Sequence, residues 1–159
     1  VPRIVEMLVD LHSHTVYAGL CDVSREVAHR TLRALVGRNG DTNDGGSLVM
    51  VEEDAGGVVQ GFIIGLLARI YFICDRLEAN DMFLHLTDAA PPGALMRLVR
   101  AYLAWADANP RVVDVNLSWS DATPDGERLA ALYRREGLHR SGEKFTRPRK
   151  AALVGALAA

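Results

Sequence analysis

Met82-Phe83-Leu84-His85-Leu86, then Thr87-Asp88-Ala89-Ala90-Pro91-Pro92-Gly93, then Ala94 to Asp107 form one continuous stretch whose reading decides the fold. The first piece is short and apolar, the second is broken by Pro-Pro-Gly, and the third is long and amphipathic. That is a strand, a tight loop and a helix. The first N–H groups of a helix have no partner inside it, so a loop feeding a helix start in an α/β protein is where phosphates sit.

Working outward toward the C-terminus, Leu95, Leu98, Val99, Tyr102 and Trp105 recur at helical spacing over Leu95 to Ala108, and Asn109-Pro110 ends that helix. Val112 to Trp119 alternates as a strand. Thr123 suits an N-cap with Pro124 at the first helical position, and Glu127 to Glu136 forms a helix stopped by Gly137. His139 to Arg147 alternates weakly and is expected to be a last strand, closing a single domain over 1–150 before a small-residue tail, 151–159. Toward the N-terminus, Ser47 to Glu53 reads as a strand, Asp54 to Gly57 as a turn, and Val58 to Ile73 as a long strand. Asp75 to Asp81 is expected to turn the chain, so that Met82 to Thr87 becomes the third strand of an antiparallel meander. Ile4 to His14 and a second helix capped by Ser24, with Val27, Leu32, Leu35 and Val36 on one side, precede these strands. The Gly/Asn/Asp-rich segment Arg38 to Gly46 reads as a mobile loop. The order is ααβββαβαβ, an α/β (α+β) chain with a mixed sheet and right-handed crossovers.

Composition excludes more than it selects. At 159 residues, 49% hydrophobic and 24% charged, the chain has the length and balance of one globular domain. A formal net charge of −2 gives no global pull toward nucleic acid or membrane. The longest apolar run, Val58 to Cys74, carries Gln60 and Arg69 and falls short of the roughly 20 clean residues of a membrane span. With no signal-peptide pattern at Val1-Pro2-Arg3, a cytoplasmic protein without a membrane partner is expected. Two cysteines, Cys21 and Cys74, make neither a disulfide framework nor a zinc set. His12 and His14 lie two apart on a helix and point to different sides, so no metal is expected there.

These pieces, in this order, resemble the GNAT superfamily of N-acetyltransferases. Three motifs carry the resemblance: Val59-Gln60-Gly61-Phe62 opening the long strand, Met82 to Leu86 with the helix to Ala106, and Leu132-Tyr133-Arg134-Arg135-Glu136-Gly137-Leu138. The last is similar to the family's Leu-Tyr-x-x-x-Gly-Phe ending, with Leu138 in place of Phe. The resemblance spans about Ile4 to Arg147 and implies a GNAT-like acyl-CoA N-acyltransferase fold. It further implies acetyl-CoA held where two central strands splay, an amine acceptor on a small molecule or protein, and pairing into a homodimer.

On that resemblance Tyr133 is the general acid that protonates the departing thiolate. Glu78, Asp81 and His85 are candidates for the base that takes the amine proton, His85 because an unperturbed imidazole titrates near working pH. The backbone of Leu84, His85 and Leu86 would hold the pantetheine arm, and the amides of Gly93, Ala94 and Leu95 the pyrophosphate, with Tyr133 also at the cofactor. The family's Q/R-x-x-G-x-G/A loop falls on Ala90 to Leu95, where Ala90 replaces the leading side chain and Leu95 the last glycine. Pro91 and Pro92 have no N–H to offer. Each lost donor to a charged oxygen costs about 1.5–3 kcal/mol, so a second reading stands beside the enzyme: the same fold without efficient CoA binding, serving protein contact or another ligand. Gly126 stands where the family often has Asn. Seven Lys and Arg within 134–150 oppose Glu136 and Glu143, but Phe145 is the sole aromatic residue there, so a solvated face is expected rather than nucleic acid. Acceptor choice is expected to lie in Arg38 to Gly46 and Asp75 to Asp81.

Overall fold

Amphipathic spacing yields two leading helices, α1 (Pro2–Ser13) and α2 (Arg25–Gly37), followed by strands β1 (Ser47–Glu53), β2 (Val59–Arg69) and β3 (Leu77–Leu86). Helix α3 (Ala94–Asp107), strand β4 (Val112–Asn116) and helix α4 (Gly126–Arg135) complete the order. The computed structural model describes residues 1–119 and 125–142. Thr123 and Pro124, the tail 151–159 and most of the expected last strand lie outside the described residues; 139–142 form no strand.

The chain divides into two compact units. The first, Val1–Leu11 with Ser24–Ser118, contains the whole sheet. Its strand order is β1-β2-β3-β4, antiparallel through β3 and parallel between β3 and β4. Alternation gives each strand two faces. On one face Ile63, Leu67 and Ala79 pack with Leu98, Tyr102, Trp105 and Ala106 of α3. On the other, Phe62 and Ile64 pack with Ile4, Val5 and Met7 of α1 and Leu32 of α2. Ser24 caps α2 as expected, its side chain accepting from the Val27 amide.

Four expectations for this unit need correction. β4 ends at Asn116 rather than Trp119. β2 ends at Arg69 rather than Ile73, because the chain turns back after Ile70 with Tyr71 and Phe72 at positive φ, a turn that no Gly or Pro announces. β3 begins at Leu77, so most of Asp75 to Asp81 is strand. There Leu77 and Ala79 are fully buried between the more exposed Glu78 and Asn80, a period of two hidden by the polar letters. Arg38 to Gly46 is tied down rather than loose. Gly45 donates to the Leu67 carbonyl and Leu67 to the Gly46 carbonyl, both at 2.9 Å. The Trp105 indole N–H reaches the Asp41 carbonyl at 3.2 Å, and Arg38 Nη2 donates to the Asp44 carbonyl at 2.8 Å.

In the second unit, formed by His12–Val23 and the residues from Trp119 on, α4 ends as its sequence predicts. Gly137 takes φ +93°, the left-handed region that favours glycine. Its N–H donates to the Arg134 carbonyl and that of Leu138 to the Tyr133 carbonyl, a Schellman end. Gly126 also has a local reason. A Cβ there would collide with the Trp119 ring, so an Asn has no room at this position.

Candidate functional site

A fork opens between β3 and β4. Their parallel pairing runs from Leu77 opposite Val112 to Asn80 opposite Asn116, where β4 ends and β3 continues to Leu86. The register of β3 against β2 shifts at the same place: Gly65 faces Asp81, while Ile64 faces Phe83, leaving Met82 bulged. A bulge adds local twist and bends its strand. Thr87 donates to the Gln60 carbonyl at 2.8 Å, so by alternation His85 and Phe83 turn their amides and carbonyls toward β2. Leu84 and Leu86 therefore turn theirs to the opposite edge, which no strand pairs among the described residues.

Asp81 sits at the fork. Its Oδ1 accepts from both the amide and the hydroxyl of Ser118, each at 3.0 Å, which ties the chain just past β4 back to β3. Burial pushes the Asp81 carboxyl above the usual carboxylate range, and the two Ser118 bonds pull it part of the way back.

The other candidates are spread over the two units. His85 faces Phe62 across the sheet, its ring centroid 6.0 Å from the phenyl, on the α1/α2 side rather than the α3 side. Glu78 stands opposite Ala68 and is half-buried. Tyr133 is a buried residue of α4 in the second unit. Asp81, which the sequence ranks behind His85 as a candidate base, is set apart by the strand register, a property of pairing that a single sequence does not display.

Below the fork, Gly93 adopts φ +78° as the N-cap of α3. The Ala94 amide is taken by the Pro91 carbonyl at 3.0 Å. The next two N–H groups, those of Leu95 and Met96, have no carbonyl partner among the described residues. Arg97 braces this corner: Nη1 donates to the Pro92 carbonyl at 3.0 Å, and Nε and Nη2 grip Glu52 of β1 at 2.8 and 2.6 Å. From β2, Gln60 accepts from the Thr87 hydroxyl at 2.6 Å and donates to Asp54 at 2.7 Å. A CoA molecule fits this donor set in part. The β3 edge offers amides and carbonyls to an amide-bearing arm, and two helix-start N–H groups remain for a phosphate. Among the described residues no group of His, Cys, Asp and Glu is placed to hold a metal ion.

The Arg97 grip sets an acid limit on the fold. Hydrogen bonding from Arg97, opposed by desolvation and aided by its charge, holds the Glu52 carboxyl below its ordinary value near 4.5. A depressed pKa contributes stability that is present above the unfolded value and lost as pH falls through the folded one. Asp54 and Asp41 are lowered too and act in the same direction, while Asp81, being raised, gains stability over the same fall. Glu52→Gln is expected to flatten the drop in melting temperature between about pH 6 and pH 3. Melts of both proteins across that range check it.

No protein-family model matches the sequence, and no curated protein matches it. Solved structures do match. Those similar to this chain include a Trypanosoma brucei acetyltransferase, at 13% identity and a TM-score of 0.61, covering 93% of this chain and 94% of that one. The glucosamine-6-phosphate N-acetyltransferase of Arabidopsis thaliana matches at 10% identity and 0.61, over 93% and 94%. A Bacillus halodurans protein described as a transcriptional regulator matches at 17% identity and 0.61, over 91% and 92%. At these identities the likeness is one of fold.

Proposed function

We propose that this chain, which has the GNAT fold, is an N-acyltransferase that moves an acetyl group from acetyl-CoA to an amine. The observation that carries the reading is the fork, where β3 runs on from Asp81 to Leu86 beside an unpaired edge. When bound, acetyl-CoA supplies a thioester carbonyl open to attack. The backbone of Leu84 and Leu86 orients its arm, and the amides of Leu95 and Met96 meet its phosphates in place of the donors that Pro91 and Pro92 lack. Asp81 takes the proton released by the attacking amine, a role favoured by a carboxyl pKa shifted upward. Tyr133 delivers a proton to the leaving sulfur, as its place before Gly137 suggests by family resemblance. Acetyl-transferring structural neighbours support the reaction class.

Calorimetric titration with acetyl-CoA and with CoA tests this. Binding is expected, weakened by the two missing donors to dissociation constants in the micromolar to sub-millimolar range. No heat at millimolar cofactor would favour the second reading, a GNAT fold used for protein contact, which the structural neighbour described as a regulator keeps in view. Given binding and an accepted amine, Asp81→Asn keeps an oxygen acceptor for Ser118. It is expected to lower kcat by about 10²–10⁴ with little change in cofactor affinity. A Tyr133→Phe protein with unchanged turnover would remove Tyr133 as the acid.

A further inference from the structure

The turn between β2 and β3 is built unlike any other surface of the first unit. Tyr71, Phe72 and Ile73 are 79%, 84% and 84% exposed, the most exposed large apolar side chains among the described residues. Tyr71 and Phe72 both take the left-handed conformation, φ 52° and 64°, which costs free energy for any side chain with a Cβ. The turn is nevertheless well tied. The Ile70 amide donates to the Arg76 carbonyl at 3.1 Å, and the Cys74 amide returns to the Ile70 carbonyl at 3.1 Å. Arg69 Nη1 holds the Cys74 carbonyl at 3.2 Å, and Arg111 Nη2 holds that of Asp75 at 3.0 Å. The chain thus accepts strain to hold three apolar side chains in water on a fixed mount. Strain held by its surroundings is a pointer to function.

We propose that this apex inserts into the surface of an anionic phospholipid bilayer. The apex offers on the order of 500 Å² of side-chain surface, short of the roughly 800 Å² per partner that a stable dimer buries. A second copy seated on the apex alone is therefore disfavoured. Charge favours lipid: Arg69, Arg76 and Arg111 stand behind the apex against Asp44 and Asp75, on a chain whose overall net charge is −2. Asp44 is already committed to Arg69 at 2.8 Å, while Arg76 and Arg111 form no ion pair among the described residues. An apolar tip with an aromatic hydroxyl and arginines behind it matches the layering of an interface, with acyl chains outermost from the protein and phosphates next to it. No helix of the described residues is long and apolar enough to cross a membrane, so the attachment would be peripheral.

Co-sedimentation with vesicles tests the proposal. The wild-type chain is expected to partition onto phosphatidylcholine vesicles containing about 30% phosphatidylglycerol, less onto pure phosphatidylcholine, and less again at high salt. The triple variant Tyr71→Asn, Phe72→Asn, Ile73→Ser is expected to lose at least about tenfold in partitioning. Asn tolerates the left-handed region, so its melting temperature should be unchanged, which separates lost binding from lost folding. Equal partitioning of the two proteins, or none by the wild type, overturns the proposal. So does sedimentation velocity without lipid if the wild type is a dimer and the triple variant a monomer, because the occupant would then be a second copy.

Discussion

Gly65→Ala is expected to destabilise the first unit by about 1–3 kcal/mol, the range for adding a methyl group to a filled core. A Cβ at Gly65 would stand 2.6 Å from Tyr102 Cε2 and 2.9 Å from Trp105 Cζ3, both closer than real Cβ contacts come. Neither ring can step aside easily. Tyr102 is fully buried, and its hydroxyl donates to the Asn116 carbonyl at 2.9 Å, so moving it pulls on the end of β4 at the fork. The two rings lean on each other with centroids 5.8 Å apart. At about 2–4 °C per kcal/mol for a chain of this size, thermal melts should show a drop of several degrees. Gly65→Val should do worse, and an unchanged melt for either would mean that α3 rides higher on the sheet than described.

That glycine marks the limit of what the sequence displays. Within Gly61-Phe62-Ile63-Ile64-Gly65 the strand and its apolar character are plain, and so are the helical spacing of Tyr102 and Trp105 and the Schellman glycine of α4. The letters do not say that Gly65 is the seat of two rings 37 and 40 positions further on, because that depends on register between elements. The same limit governed the site. Leu84 and Leu86 were legible as strand residues beside a helix-feeding loop. Which of Glu78, Asp81 and His85 lay at the fork was not, since a single bulged residue, Met82, resets the faces from there on. Asp75, Arg76, Glu78, Asn80 and Asp81 look like turn chemistry and hide the first half of β3, yet two fully buried residues, Leu77 and Ala79, outweigh them. Glycines and acids give the loop 38–46 the look of a mobile segment. Its anchors, Leu67 and Trp105, are far off in the chain, and nothing local announces them.

Trp105→Ala is expected to be the most damaging single change, at about 3–5 kcal/mol, out of a total stability of about 5–15 kcal/mol for an ordinary domain. Two separate losses contribute. The indole is only 7% exposed and belongs to the cluster joining α3 to β2 and β3, so its removal leaves a cavity between helix and sheet. Its N–H also holds the Asp41 carbonyl, one of the bonds that fix the loop 38–46, here to α3. Trp105→Phe separates them: it keeps most of the ring and loses the donor, so about 1 kcal/mol for the bond plus a smaller packing loss is expected. Hydrogen exchange should then quicken at the Asn43 to Gly46 amides in both variants, while exchange in the strands quickens chiefly in Trp105→Ala. The alanine variant also makes a prediction about Gly65. With the indole gone, one of the two obstacles to a Cβ disappears, so Gly65→Ala should cost less in the Trp105→Ala background than in the wild type. Strict additivity in that double-mutant cycle would mean that Tyr102 alone excludes the methyl group.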